Sequence, residues 1–245
     1  MAASTIETTK ILLQSRDNKN QVLGNGSGFL GKNLMEHTPE LQVTGVRKMS
    51  GRLEEGEKSY NFFIPRYRNT LSQEFGFSAG YWWQGEIGVS ESHEYIKMFG
   101  FGEVQPREDN HVRVSDSRKD NFGNPVIEIS YALSDNENYL MNSQIMDAKD
   151  FLASSGYDVA ALRRNPYNGL SVHEVGTARM GRDPQTSVVN PLNQVWGHGN
   201  VYVVDGASFV SSGSANPTLT MMAITARACM NICRESSQVK ISYEI

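Results

Sequence analysis

From Ser171 to Cys233 the chain reads SVHEVGTARMGRDPQTSVVNPLNQVWGHGNVYVVDGASFVSSGSANPTLTMMAITARACMNIC, and the order of its parts leaves few folds open. His173 opens a glycine-containing turn. A short β-branched run, Val201 to Val204, stops at Asp205-Gly206. Apolar, brief and bounded by turn residues, that run predicts a buried strand. Asn216-Pro217-Thr218 predicts a helix start, because asparagine caps free amides and proline is tolerated at the first helical position. From Leu219 to Cys233 the residues are mostly apolar, broken by Arg227 and Asn231, so this helix is expected to be well buried. Strand, acidic turn, small-residue loop and helix N-terminus together make a cofactor cradle of α/β type. Its free amides and the positive end of its helix dipole suit an anionic group.

Composition narrows the rest. With 245 residues the chain can bury a substantial core in one or two domains. An apolar share of 39 % argues against global disorder, and a net charge of −4 offers no electrostatic case for nucleic acid or an anionic membrane. No apolar run approaches the ~18 residues of a membrane span. Met1-Ala-Ala-Ser lacks the basic-then-apolar pattern of a secretory signal, and the compartment stays open between cytoplasm and periplasm. Cys229 and Cys233 lie one helical turn apart without a matching His or Cys cluster, which predicts a buried, reduced pair rather than a metal site.

Along the chain, Ser4-Thr-Ile-Glu7 has capping-box form, and Ile6, Ile11, Leu12 and Leu13 would give the helix that follows an apolar face. Gly26-Ser-Gly28-Phe-Leu-Gly31 spells G-x-G-x-x-G, but residues 16–21 before it are loop chemistry rather than a strand. Glu54 and Glu55, at the distance of a ribose-binding acid, sit in a charged turn, so a loop is expected. Strands are predicted at Leu41–Val46, Tyr60–Ile64, Phe77–Val89, Tyr95–Phe101, His111–Val114 and Val126–Tyr131, and short turns between them argue for one antiparallel sheet in an α+β unit. Tyr81-Trp82-Trp83 could stack on a sugar, although aromatic residues are common in strand packing. Residues 134–156 predict a helix capped by Ser134 or Asp135 and ended by Gly156, with Leu140, Ile145, Met146, Phe151 and Leu152 toward the core. Asn165-Pro166-Tyr167-Asn168-Gly169 is a turn cluster.

HEVGTARMG, SVVN, NVYVVDGASF and SANPTLTMMAITARA, in this order and spacing, resemble the C-terminal signature of the glucose–methanol–choline (GMC) flavin oxidoreductases. Weaker likeness runs through ASTIETTKILLQS, LGNGSGFLGKNLMEH and residues 110–131. The resemblance implies a mixed fold, α+β and α/β: a partial FAD-binding domain, split around an inserted substrate domain with an antiparallel sheet and packed helices. Residues 1–37 and 165–245 would belong to the FAD-binding part and residues 38–164 to the substrate part. It also implies the C-terminal half of a longer protein whose other half holds the adenosine-binding glycine motif.

The implied chemistry oxidises an alcohol group, on a sugar or polyol, by hydride transfer to FAD, with the final electron acceptor unknown. Histidine suits the proton-accepting role because its ordinary pKa is ~6.5, and His173 matches the family's catalytic histidine. Asn216 matches a second active-site position that would orient the substrate hydroxyl, while remaining open to a plain capping role. Asp205 and Gly206 match positions beside the ribityl and pyrophosphate groups, and Pro217, Thr218 and Leu219 would set the helix start beside the flavin pyrimidine. His37, His93, His111 and His198 read as structural or exposed. The rival reading is a non-catalytic remnant, or a carbohydrate-binding module, that cannot hold FAD by itself. Serine-hydrolase chemistry is disfavoured: the chain has no G-x-S-x-G elbow.

Overall fold

The computed structural model describes residues 1–48, 59–67, 76–90, 92–166 and 173–238. The turn at Glu54-Glu55 and residues 167–169 of the Asn-Pro turn cluster lie outside the described residues. Five strands, β1 (Leu41–Lys48), β2 (Tyr60–Tyr67), β3 (Tyr81–Val89), β4 (His93–Gly102) and β7 (Asp158–Arg164), form an antiparallel sheet in the order β2-β3-β4-β1-β7. Alternation sets its two faces. Leu41, Val43, Tyr81, Trp83, Ile96 and Met98 point to one side, against α2 (Asp135–Ser154), which contributes Leu140, Ala148 and Leu152. Each such side chain, fully buried, is worth roughly 1.5–3 kcal/mol. Trp82 takes the opposite face, stacked on Phe63 at 5.4 Å between ring centroids and 5.8 Å from Phe101. Strand packing thus accounts for Tyr81 and Trp83.

One sheet was the expectation for residues 41–131, but β5 (His111–Lys119) and β6 (Pro125–Ser130) form a separate hairpin. Both edges of β5 are occupied: β6 pairs with one, while Gly31 and Lys32 bond the other through Val112 N to Gly31 O at 2.8 Å and the Lys32–His111 bridge. β5 is thereby committed to these partners rather than to the larger sheet. The run around Val201 is likewise a hairpin strand, β9 (His198–Tyr202), paired with β8 (Gln194–Val195), and only the following Val203 is fully buried. The glycine-rich stretch at 26–31 forms turns, with Gly28 and Gly31 at positive φ and no helix after it.

Helix faces depart from expectation where polarity misled. In α1 (Thr5–Gln14) the buried side is Thr5, Thr8, Thr9 and Leu12, while Ile11 is exposed; Ser4 makes no side-chain cap bond. Threonine hydroxyls can be buried there because each finds a partner. In α2, Ser134 and Glu137 close a capping box, and the inward stripe is Glu137, Leu140, Met141, Gln144, Ala148 and Leu152. Met146 (65 % exposed) and Phe151 fall outside it. The third helix, α3 (Thr218–Gln238), is not well buried: among the described side chains only Ala228 is, while Leu219 and Met222 are 77 % and 64 % exposed. It is apolar on two sides, and the described residues cover the side bearing Met221, Ile224 and Ala228. Cys229 and Cys233 lie on the exposed side and form no disulfide, contrary to the buried pair expected. Among the described residues no helix is long and apolar enough to cross a membrane.

Candidate active site

Four distant segments meet at a cavity of about 650 Å³. The start of α1 brings Ser4 and Thr5, the segment beginning at residue 173 brings His173 and Glu174, and the stretch after β9 brings Val204, Asp205 and Gly206. The first two turns of α3 supply Pro217, Thr218, Met221 and Thr225. Backbone bonds hold these parts in register. Gly176 N donates to Gly206 O at 2.9 Å, Ala178 N to Ala207 O at 2.7 Å and Met180 N to Ser208 O at 3.0 Å. Met35 and Val175 exchange two bonds of 2.9 Å, which fastens the His173 segment to residues 33–38. From there Thr38 reaches the end of β4 through Gly102.

The threonines of α1 lock the floor. Thr5 Oγ1 donates to the carbonyl of Glu174, and Thr8 Oγ1 donates to Asp205 Oδ2. Asp205 Oδ1 accepts from Ala207 N at 3.1 Å, so this carboxylate caps the 3-10 turn at Gly206–Ser208 while tying it to α1. A carboxylate has further lone pairs to offer. Gly206 is needed at close quarters, since a Cβ would stand 2.7 Å from Thr5 Oγ1 and 2.9 Å from Glu174 O.

His173 is half-buried on the cavity wall; burial draws its pKa below the usual histidine value, with neighbouring Glu174 opposing. Its Nδ1 is buried and has no hydrogen-bond partner among the described residues. Pro217 is buried and Thr218 exposed, both on the cavity rim. Asn216 and Leu219 are exposed and stand outside the lining. The α3 cap also differs from expectation. Met221 N bonds the carbonyl of Pro217, so Pro217 occupies the capping position and Asn216 lies one residue before it.

Sequence reasoning missed Thr5, Glu174, Met221 and Thr225. The threonine repeat of α1 was the available signal, a polar face where an apolar one is usual. It also missed His37, which is only 2 % exposed and packs against His173 with ring centroids 4.9 Å apart. Burial first, then the positive charge available to His173, lower the His37 pKa to about 4, partly opposed by backbone bonds at Gly102 and Gly213. An unfolded chain protonates this residue near 6.5, so between about 6.5 and 4 the unfolded state binds more protons and stability falls as pH falls. The loss should amount to about 3 kcal/mol by pH 4 and be absent above pH 6.5. Urea melts across this range check it: His37→Leu should flatten the slope, and an equally steep profile would exclude His37 as its source.

Val204, Met221 and Ala226 give the cavity apolar walls, and α3 opens onto it with its N-terminus, where partial positive charge favours an anionic group. Residues 106–225 match the family model described as GMC oxidoreductase. The chain is 30 % identical to 2-methyl-1,2-propanediol dehydrogenase of Mycolicibacterium austroafricanum, over 98 % of this chain and 48 % of that protein. It is 26 % identical to the fructose dehydrogenase large subunit of Gluconobacter japonicus, over 97 % and 47 %. In fold it is similar to formate oxidase of Aspergillus oryzae RIB40, with a TM-score of 0.60 at 16 % identity, covering 96 % of this chain and 53 % of that one. The chain therefore spans about half the length of the relatives it matches. Signature and family match agree: the chain belongs to the GMC oxidoreductases and corresponds to their C-terminal half.

Proposed function

We propose that this chain supplies the catalytic half of an FAD-dependent oxidoreductase that oxidises an alcohol group of a sugar or polyol, with His173 as the base. The observation that carries this reading is the convergence of His173, Asp205, Gly206, Pro217 and Thr218 on one cavity at a helix N-terminus. Bound there, FAD supplies a hydride acceptor. The chain's own residues do the rest. His173, with Nδ1 buried, meets the substrate hydroxyl through Nε2 and takes its proton. Thr218 and the amides at the start of α3 favour negative charge at the cavity rim. Asp205 and Gly206 hold the floor to α1, and their backbone is available to the ribityl chain. Asn216 stands outside the cavity lining and would reach substrate from beyond it. Alcohol-oxidising relatives support the substrate class: one is named for a diol and another for fructose.

Anaerobic reduction of the whole flavin-loaded enzyme of which this chain is the proposed catalytic half, by a panel of sugars, polyols and simple alcohols, tests the reading; bleaching by none of them would refute it. The rate should also carry a sign in pH. Neutral His173 is the active form, so reduction is expected to be full at neutral pH and to fall on acidification, with a midpoint below 6.5 because burial depresses the imidazole pKa. A midpoint well above 6.5 would point to another group. The 245-residue chain made alone is expected to be colourless, because the glycine-rich stretch at 26–31 opens no helix for a pyrophosphate. A stable yellow preparation would contradict this.

A further inference from the structure

We propose that His37 is a positioning residue for His173: its buried ring, set perpendicular to the imidazole, fixes the orientation and the tautomer in which His173 faces the cavity. This rests on reading His173 as the base. The two rings meet at 87° and 4.9 Å between centroids, the edge-to-face arrangement that aromatic quadrupoles prefer. Neither ring is loosely held. Residues 35 and 175 are joined by two backbone bonds, His37 forms a backbone bridge with Glu103, and its far side packs on Phe101 at 5.7 Å. The pair is thus fixed by main chain on both sides.

The contact answers a question of proton placement. For Nε2 of a neutral His173 to accept a proton, Nδ1 must carry the hydrogen, and Nδ1 is buried without a hydrogen-bond partner among the described residues. An aromatic ring perpendicular to the imidazole can offer an N–H a weak acceptor face, where a leucine would offer none. A neutral ring is also the right partner in charge. A cation at this place would oppose protonation of the base during turnover, and a carboxylate would hold it protonated beforehand. His37 stays uncharged at neutral pH because it is buried. The charged group that acts on His173 is Glu174.

Nitrogen-15 NMR of the ring of His173 in the full 245-residue chain decides the matter, without flavin and without turnover. The unaltered chain and His37→Phe should each show one population with the hydrogen on Nδ1. His37→Leu, which keeps volume but no ring face, should split it into two populations and raise the titration midpoint by about half a unit as the imidazole loosens toward solvent. Mixed populations in the unaltered chain, or an unchanged spectrum in a folded His37→Leu protein, would overturn the proposal. If the leucine form does not fold, the phenylalanine form is read alone: one population supports the role, two defeat it. Failure here leaves the choice of base untouched, since that rests on flavin reduction.

Discussion

Replacing His173 with alanine in the whole flavin-loaded enzyme that contains this chain is expected to slow reduction by substrate about 10²–10⁴-fold, the usual cost of a lost general base. That is roughly 3–5 kcal/mol of transition-state stabilisation. FAD content should hold, since the proposed partner of the imidazole is the substrate hydroxyl and the floor of the cavity is fastened by Thr5, Thr8 and Asp205 instead. Asn216→Ala should be milder, because an orienting contact is lost while the base remains. It should also leave the melting temperature alone: Pro217, not Asn216, occupies the capping position of α3. Anaerobic stopped-flow reduction paired with a thermal melt separates the cases. Near-normal reduction by the His173→Ala protein would mean that the base is elsewhere.

Gly176→Ala should be a highly damaging small change to stability, at about 2–6 kcal/mol. Its φ of +102° lies where an L side chain is strained, by about 1–3 kcal/mol. An added Cβ would also stand 2.3 Å from the carbonyl oxygen of Asn33 and 2.5 Å from Met35 Cε. The first is backbone and cannot swing aside, so overpacking adds about 1–3 kcal/mol more. The damage should spread to function, because the same strand of backbone carries His173 and the bond from Gly176 N to Gly206 O. Gly28→Ala is the control: φ is +73° and nothing lies within 4 Å of the new methyl, so only the conformational term of about 1 kcal/mol applies. Equal melting points for the two variants would rule out the packing argument.

The strands of the large sheet were legible because alternation with a period of two survives in the sequence wherever one face is buried, as in β1 and β4. β7 was not legible: Asp158–Arg164 is an edge strand with six of its seven residues exposed, so it has no buried face to write a pattern. The faces of α1 and α3 misled for opposite reasons. Threonines went inside because hydroxyl partners waited 168 to 197 positions away. Methionines and a leucine stayed outside because composition does not say which of two apolar sides is covered. At the site, His173, Asp205, Gly206, Pro217 and Thr218 were readable as a local signature, and the cavity unites them. Thr5 and His37 were not readable, since each acquires its meaning only from a neighbour far along the chain.

The bonds that close the cavity floor have a consequence for how the molecule is made. Thr5 joins Glu174 across 169 residues and Thr8 joins Asp205 across 197, with the five-stranded sheet and α2 lying between in sequence. Contacts of such separation repay the entropy of loop closure only late, after the intervening chain has condensed. During synthesis the sheet and its helix can therefore assemble while α1 still waits with a threonine face turned to water. A face of that kind tolerates the delay. Hydroxyls are hydrated at little cost, whereas an apolar face would invite wrong partners for as long as the ribosome takes to deliver residue 205.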